Sequence, residues 1–159
     1  MPSKIIDKDK GYTALMKRLG ADQPRVKVGV FGDAASAVKD EGGEAITIGA
    51  LAEIFEFGLG NNPERSWLRG YVDENNSRIS LMINRLAQQV YSGKLSPEAA
   101  LRLLGAKLVG EIQQRISAGI APENAESTVK RKGSSVPLID TGQFRGSITN
   151  EVIPAGVAE

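Results

Sequence analysis

"SPEAALRLLGAKLVGEIQQRISAG", residues 96–119, decides the fold. Leu101, Leu104, Leu108, Ile112 and Ile116 recur every three or four residues, the repeat that sets side chains on one face of a helix. Ser96 and Pro97 stand where a helix takes its N-cap and first residue, and Gly119 stands where it stops. A second stripe lies just upstream in "DENNSRISLMINRLAQQVYS", residues 73–92: Ile79, Met82, Ile83, Leu86 and Val90 share a face, while Asn76, Arg78, Asn84, Arg85 and Gln88 fall mostly away from it. This helix is expected to stop near Ser92-Gly93. The short link "SGKLSP", residues 92–97, implies an antiparallel helix pair, and such a pair needs a surface to cover. "RVKVGVFG", residues 25–32, supplies one: Val26, Val28 and Val30 alternate with Arg25, Lys27, Gly29 and Phe31, the period-two pattern of a strand with one buried face.

Working outward, "ITIGALAEIFEFG", residues 46–58, carries Ile48, Leu51, Ala52 and Phe55 at helical spacing, with Thr47 as N-cap and Gly58 as stop. Tyr12, Leu15, Met16 and Leu19 mark one face of a short N-terminal helix ending near Gly20, a face expected to join the core. Residues 32–45 are small, charged and glycine-rich, with little apolar area to offset the entropy of ordering them, and read as a flexible loop or a hairpin arm. Residues 120–137 read as a long irregular segment, a kind of loop that is usually functional or ordered by a partner. Ser147–Ile153 reads as a strand and residues 154–159 as a frayed tail. The 159 residues suit one domain: an N-terminal helix over about 1–24, a core over 25–153, and the tail.

Composition removes several classes of chemistry. The chain has no cysteine and no histidine, so disulfides, thiolate nucleophiles, Cys/His zinc sites and His-based triads are excluded. No metal or cofactor is expected. Twenty Lys and Arg against 19 Asp and Glu leave a net charge of +1, which gives no bulk reason to bind nucleic acid or a membrane. No stretch approaches the roughly 20 apolar residues of a membrane span, and the N-terminus lacks a signal-peptide run, so a soluble protein is expected.

One triplet does raise an enzymatic possibility. "PLIDTGQF", residues 137–144, contains Asp140-Thr141-Gly142 behind two apolar residues, as in retroviral-type aspartic proteases, where two carboxylates share a proton. A single triplet demands a homodimer of nearly all-β subunits. Here the preceding segment is polar and the middle of the chain is helical. Gln143-Phe144 replaces the small residue that follows the protease triplet, and Leu108-Val109-Gly110 falls inside a helix. The structural alternative is a turn: Asp140 or Thr141 accepts from backbone N–H groups, Gly142 permits the tight backbone, and Phe144 anchors it in the core.

"FEFGLGNNPERSWLRGYVDEN", residues 55–75, joins a helix end to a helix start. Trp67 lies between Arg65 and Arg69, with Leu68 and Tyr71 beside them and Glu56 and Glu64 nearby. Trp67 and Leu68 can cap the core while the arginines pair with the acids. Trp, Tyr and Arg are equally the residues that dominate subunit contacts, so Arg65, Trp67, Leu68, Arg69 and Tyr71 are candidate interface or core anchors.

The order of these segments over residues 25–153 resembles a family of tailed-phage and prophage morphogenesis proteins, the neck proteins described as head-tail joining, tail completion or tail terminator proteins. Its most specific stretches are Pro-Glu-Arg-x-aromatic-Leu-Arg at 63–69 and Leu-Ile-Asp-Thr-Gly-Gln-x-x-x-Ser-Ile at 138–148. Phe55 departs from the family's His before Glu-Phe-Gly, and Ser66-Trp67 from its Pro-Phe. The resemblance implies an α+β fold, a twisted antiparallel sheet packed by helices with long loops or arms, and assembly into a ring of six. It also implies a virion location in the neck or tail, assembly in the host cytoplasm, and other neck or tail-tube proteins as partners, with DNA only as transiting cargo. A ring repeats a head-to-tail interface, so each subunit needs two unlike patches; loops 32–45 and 120–137 are the natural candidates. Lys130-Arg131-Lys132 can face DNA weakly or simply be solvated, and Asp33, Asp40, Glu41 and Glu44 can line a lumen and repel it. The alternatives are a protease-like homodimer using Asp140 and a nucleic-acid-binding accessory protein.

Overall fold

A computed structural model describes residues 23–41, 44–132, 135–139 and 142–157. Chain order is β1 (Arg25–Gly29), α1 (Gly32–Ser36), β2 (Val38–Glu41), β3 (Glu44–Thr47), α2 (Ile48–Phe57), α3 (Arg69–Tyr91), α4 (Pro97–Ala118), α5 (Glu126–Lys132), α6 (Gln143–Ser147) and β4 (Thr149–Ile153). The expected N-terminal helix and the pair Asp140-Thr141 lie outside the described residues.

Helices α2 and α4 form for the reasons visible in their sequences. The Thr47 hydroxyl accepts from the Ala50 N–H at 3.2 Å, and the Ser96 hydroxyl accepts from the Ala99 N–H at 3.1 Å, each satisfying one orphan donor of a first turn. Gly58 ends α2 in the left-handed region at φ 65°, where an added Cβ would lie 2.6 Å from the Glu64 nitrogen. Both the backbone twist and the close approach therefore require glycine.

The strands make two separate two-stranded antiparallel sheets rather than one twisted sheet. β1 pairs with β4, the two ends of the described chain, with Val26 opposite Val152 and Lys27 opposite Glu151. β2 pairs with β3 as a hairpin. β3 ends at Thr47, and α2 opens directly after it at Ile48. The fold is α+β, with α4 packed across both β1 and β4 and against α3.

Three boundaries differ from the sequence reading. Residues 32–45 hold the hairpin and also a helical turn, α1, which contacts α2. Residues 120–137 are not irregular throughout, since α5 occupies Glu126–Lys132. The last strand starts at Thr149, because Gln143–Ser147 is taken by α6.

The core lies where α2, the second half of α4 and α6 converge: Ile48, Leu51 and Phe55 meet Ile112, Ile116, Phe144 and Ile148, with Val28 and Val30 packed against them. At the crossing of α4 and β4, an added Cβ on Gly105 would lie 2.7 Å from Asn150 Oδ1 and 2.9 Å from its Cβ, whereas Gly110 meets nothing within 4 Å. Two identical substitutions in one helix are therefore expected to act oppositely. Gly110→Ala should raise stability by up to about 1 kcal/mol through helix propensity, and Gly105→Ala should lower it by about 1–2 kcal/mol through overpacking. Urea denaturation of both variants checks the pair; the same sign for both would contradict the packing described.

Candidate functional site

The stretches that carry the resemblance, 63–69 and 138–148, meet in space. Their meeting point is organised by Glu56, a carboxylate only 7% exposed near the end of α2. It accepts hydrogen bonds from Ser66 Oγ at 2.7 Å, from the Leu68 N–H at 3.0 Å and from the Arg69 N–H at 3.0 Å. Ser66 Oγ in turn accepts from the Gly70 N–H at 2.8 Å. Leu68, at the start of α3, has no capping side chain of its own, so the first amides of that helix are satisfied from α2 and from Ser66. A negative charge at a helix N-terminus also opposes the positive end of the macrodipole. This borrowed cap explains why α3 begins at Arg69, four residues ahead of the Asp73 start that side-chain periodicity predicts.

Trp67 is 3% exposed, and its Nε1–H donates to the Ala52 carbonyl at 3.1 Å. Its ring meets Phe144 edge to face, centroids 5.3 Å apart at 88°, and Phe144 meets Phe55 likewise at 5.3 Å and 77°. Phe144 thus sits between an aromatic from α2 and the one from the 63–69 segment. Gly142 leads into α6 at φ 80° in the left-handed region, and Leu138 holds φ 64° with its side chain buried. Gln113 of α4 donates from Nε2 to the carbonyls of Arg145 and Ile148, at 3.2 and 3.3 Å, fixing α6 and the start of β4 to the long helix.

The structure distributes the five candidate anchors among different tasks. Trp67 and Tyr71 are buried in the core, Leu68 is half-buried, and Arg69 is exposed. Arg69 pairs with Glu64 at 2.5 Å and lies 5.4 Å over the Phe57 ring. Arg65 does not follow the expected pairing with an acid. It is buried, and donates to the carbonyls of Pro122 and Glu123 at 2.8 and 3.1 Å and to Asn124 Oδ1 at 3.4 Å, pinning the 120–125 segment to the core. Burial pushes its pKa down from the ordinary arginine value, with carbonyl dipoles standing in for a counter-charge. Of the basic run, Lys130 is exposed on α5, and the side chains of Arg131 and Lys132 lie outside the description, as do those of Asp40, Glu41 and Glu44; Asp33 is exposed in α1.

A second polar centre joins α3 to α4. Glu111 accepts from the Tyr71 hydroxyl and from Arg78, whose Nη1 lies 3.0 Å from Oε1, and pairs with Lys107 at 3.2 Å. Arg115 pairs with Glu74 one turn along. Burial raises the Tyr71 pKa first, and the hydrogen bond and charge of Glu111 add to it, bringing it to about 12. For Glu111, partial burial pushes upward, but the hydrogen bonds from Tyr71 and Lys107 and the charges around it leave the carboxyl below its usual value. Glu111 was absent from the sequence reading, and Glu56 entered it only as an acid for the nearby arginines, not as a buried cap. Glu56 had a visible signal: it occupies the buried face of α2 beside Ala52 and Phe55, where a charge demands partners.

Among the described residues, no group of three or more His, Cys, Asp or Glu could hold a metal ion, and no helix is long and apolar enough to cross a membrane. No family model, no curated protein and no solved structure matches the chain.

Removing the borrowed cap should be costly. Glu56→Ala is expected to lower stability by about 1–3 kcal/mol by leaving buried donors unpaired, and Glu56→Gln, which keeps one acceptor oxygen, should recover part of that loss; urea denaturation reads both. Equal stability of the wild type and Glu56→Ala would contradict the assignment. The Tyr71 pair predicts a pH dependence. Its folded pKa of about 12 exceeds the unfolded 10, so its contribution is complete below pH 10 and is lost as pH rises toward 12. Tyr71→Phe should remove that part of the alkaline loss, measured as the difference between the two stability profiles.

Proposed function

We propose that the chain is a non-enzymatic structural subunit of a tailed-phage neck, forming a ring that completes the tail and joins it to the DNA-filled head. The observation that carries this reading is the convergence of residues 63–69 and 138–148 on one joint, with Trp67 and Phe144 in direct ring contact. The two stretches that resemble the neck family are far apart in sequence. A chance likeness gives no reason for both to build the same piece of core.

The surface also suits a head-to-tail ring. Phe57, the last residue of α2, and Leu59, just beyond it, are exposed large apolar residues, and Leu81 of α3 and Leu103 of α4 are exposed on the helix pair. These groups lie on different elements, and a heterologous interface needs two unlike faces. In this reading the hairpin β2–β3 and helix α5, which fall within or beside the segments 32–45 and 120–137, are further candidates for subunit contact. In this reading the partners are further copies of the chain and other neck or tail-tube proteins, DNA passes as cargo, and the particle is the place of action.

The test is the mass of the purified protein across a wide concentration range, by light scattering or native mass spectrometry, with and without isolated tail tubes. A closed ring, or a monomer converted to a ring by tubes, is the expected result, and Leu81→Asp with Leu103→Asp should then block closure while leaving the monomer folded. A stable dimer that cleaves peptide and loses cleavage on Asp140→Asn would overturn the neck reading in favour of the protease. DNA affinity falling steeply with salt, without ring formation, would overturn it in favour of an accessory nucleic-acid-binding protein.

A further inference from the structure

Arg65 leaves part of its guanidinium unused. The residue is only 6% exposed, and its Nε and Nη2 are committed to the 122–124 segment. Nη1 has no hydrogen-bond partner among the described residues, yet it is not sealed in, since Arg115 Nε is the one side-chain nitrogen or oxygen among them that is both buried and unpaired. No acid among them pairs with the guanidinium either, and burial alone lowers its pKa. A buried cation without a counter-charge is costly, so an anion that reached it would be held by charge and hydrogen bond together. The open space beside it is a cleft of about 580 Å³ between the 61–65 link and the 123–128 segment.

The cleft has two unlike parts. Leu51, Ile54 and Leu138 give it an apolar floor continuous with the core. Asn61 and Thr128 line its walls with side chains that make no hydrogen bond among the described residues, which leaves a carboxamide and a hydroxyl for a ligand. Glu123 lines it too, exposed and unpaired with Arg65, and its negative charge disfavours a dianion such as phosphate. A single negative charge on an apolar body suits both parts. We propose that the cleft binds a monocarboxylate carried on an apolar stem, the carboxylate meeting Arg65 Nη1 with Asn61 and Thr128, and the stem meeting Leu51, Ile54 and Leu138. The proposal does not rest on the neck reading.

The test titrates hexanoate into the full chain and follows the side-chain N–H signals of Arg65 and Asn61 by NMR. Both should shift saturably. Hexanamide, which keeps the stem and loses the charge, and acetate, which keeps the charge and loses four methylenes, should each bind at least about tenfold more weakly. Two variants that leave the Arg65 bonds to the 122–124 segment in place give opposite signs: Thr128→Val should weaken hexanoate about threefold by removing a hydroxyl, and Glu123→Gln should tighten it about twofold by removing a like charge. Light scattering in parallel separates two sources of the same chemistry. Hexanoate that raises the concentration needed for self-association assigns the carboxylate to a neighbouring copy, and hexanoate that binds without this effect assigns it to a free ligand. Equal affinity for hexanoate and hexanamide would reduce the site to an apolar cleft and overturn the proposal. So would an Arg65 signal that hexanoate does not move, or shifts confined to residues outside the cleft.

Discussion

The buried carboxylate of Glu56 is the constraint on which the rest of the structure depends. A carboxylate this deep is destabilising unless its lone pairs are used, and here three donors from residues 66–69 use them. The same three bonds tie the end of one helix to the start of the next. They hold the Pro63–Leu68 link against α2, supply the N-terminal cap that Leu68 cannot, and so fix the direction in which α3 leaves. Trp67 lies inside the loop these bonds define, and its position follows: with its flanks bonded to Glu56, the indole has the core on one side and the Ala52 carbonyl within reach. The aromatic contact with Phe144 therefore depends on an electrostatic contact made by a residue that does not touch it.

From that joint outward, order rests on progressively fewer buried groups. The second half of α4 contributes Ile112 and Ile116 to the main core, and the Glu111 cluster ties it to the first turns of α3. Beyond this, α3 continues to Tyr91, yet Tyr71 is the only buried residue among its 23. At 1.5 Å per residue the helix is about 35 Å long, so most of its length lies outside the main core. The exposed ion pairs along it are worth little by themselves. The anchored half of the pair positions the joint, and the distal half offers surface.

Elements whose signals are local were legible in the sequence. Thr47 and Ser96 cap the helices they were expected to cap, Gly58 ends α2, and the stripe from Leu104 to Ile116 faces inward, because caps and periodicity depend on neighbours within a turn or two. The start of α3 was not legible, since most of its cap comes from a different helix and the one local contribution, Ser66 accepting from the Gly70 N–H, comes from outside the N-cap position at Leu68. Arg65 was misassigned for the same reason: its partners are carbonyls from residues 122–123, distant in sequence, and backbone acceptors carry no side-chain signature. The division into two sheets was hidden too, because pairing β1 with β4 joins the two ends of the described chain and alternation within one strand does not say which strand it meets.

The interior placement of Trp67 changes what the resemblance to neck proteins can mean. An aromatic flanked by arginines reads as a contact hot spot, but its indole is enclosed by Ala52 and Phe144 and cannot also be a subunit anchor without opening the core. The Pro-Glu-Arg-x-aromatic-Leu-Arg stretch is thus a folding device, in which Arg65 holds one loop, Trp67 fills the core and Leu68 and Arg69 present amides to Glu56. A likeness carried by such a device concerns how the chain folds, not how subunits meet. If the chain does assemble as a ring, the energy of closure must come from elsewhere: from apolar groups left outside the core, such as Phe57 and Leu59 at the end of α2, Leu81 on α3 and Leu103 on α4. Because those groups are peripheral to the joint, subunit contacts can be altered there without disturbing the Glu56 cap, and assembly and folding become separable properties of the same small domain.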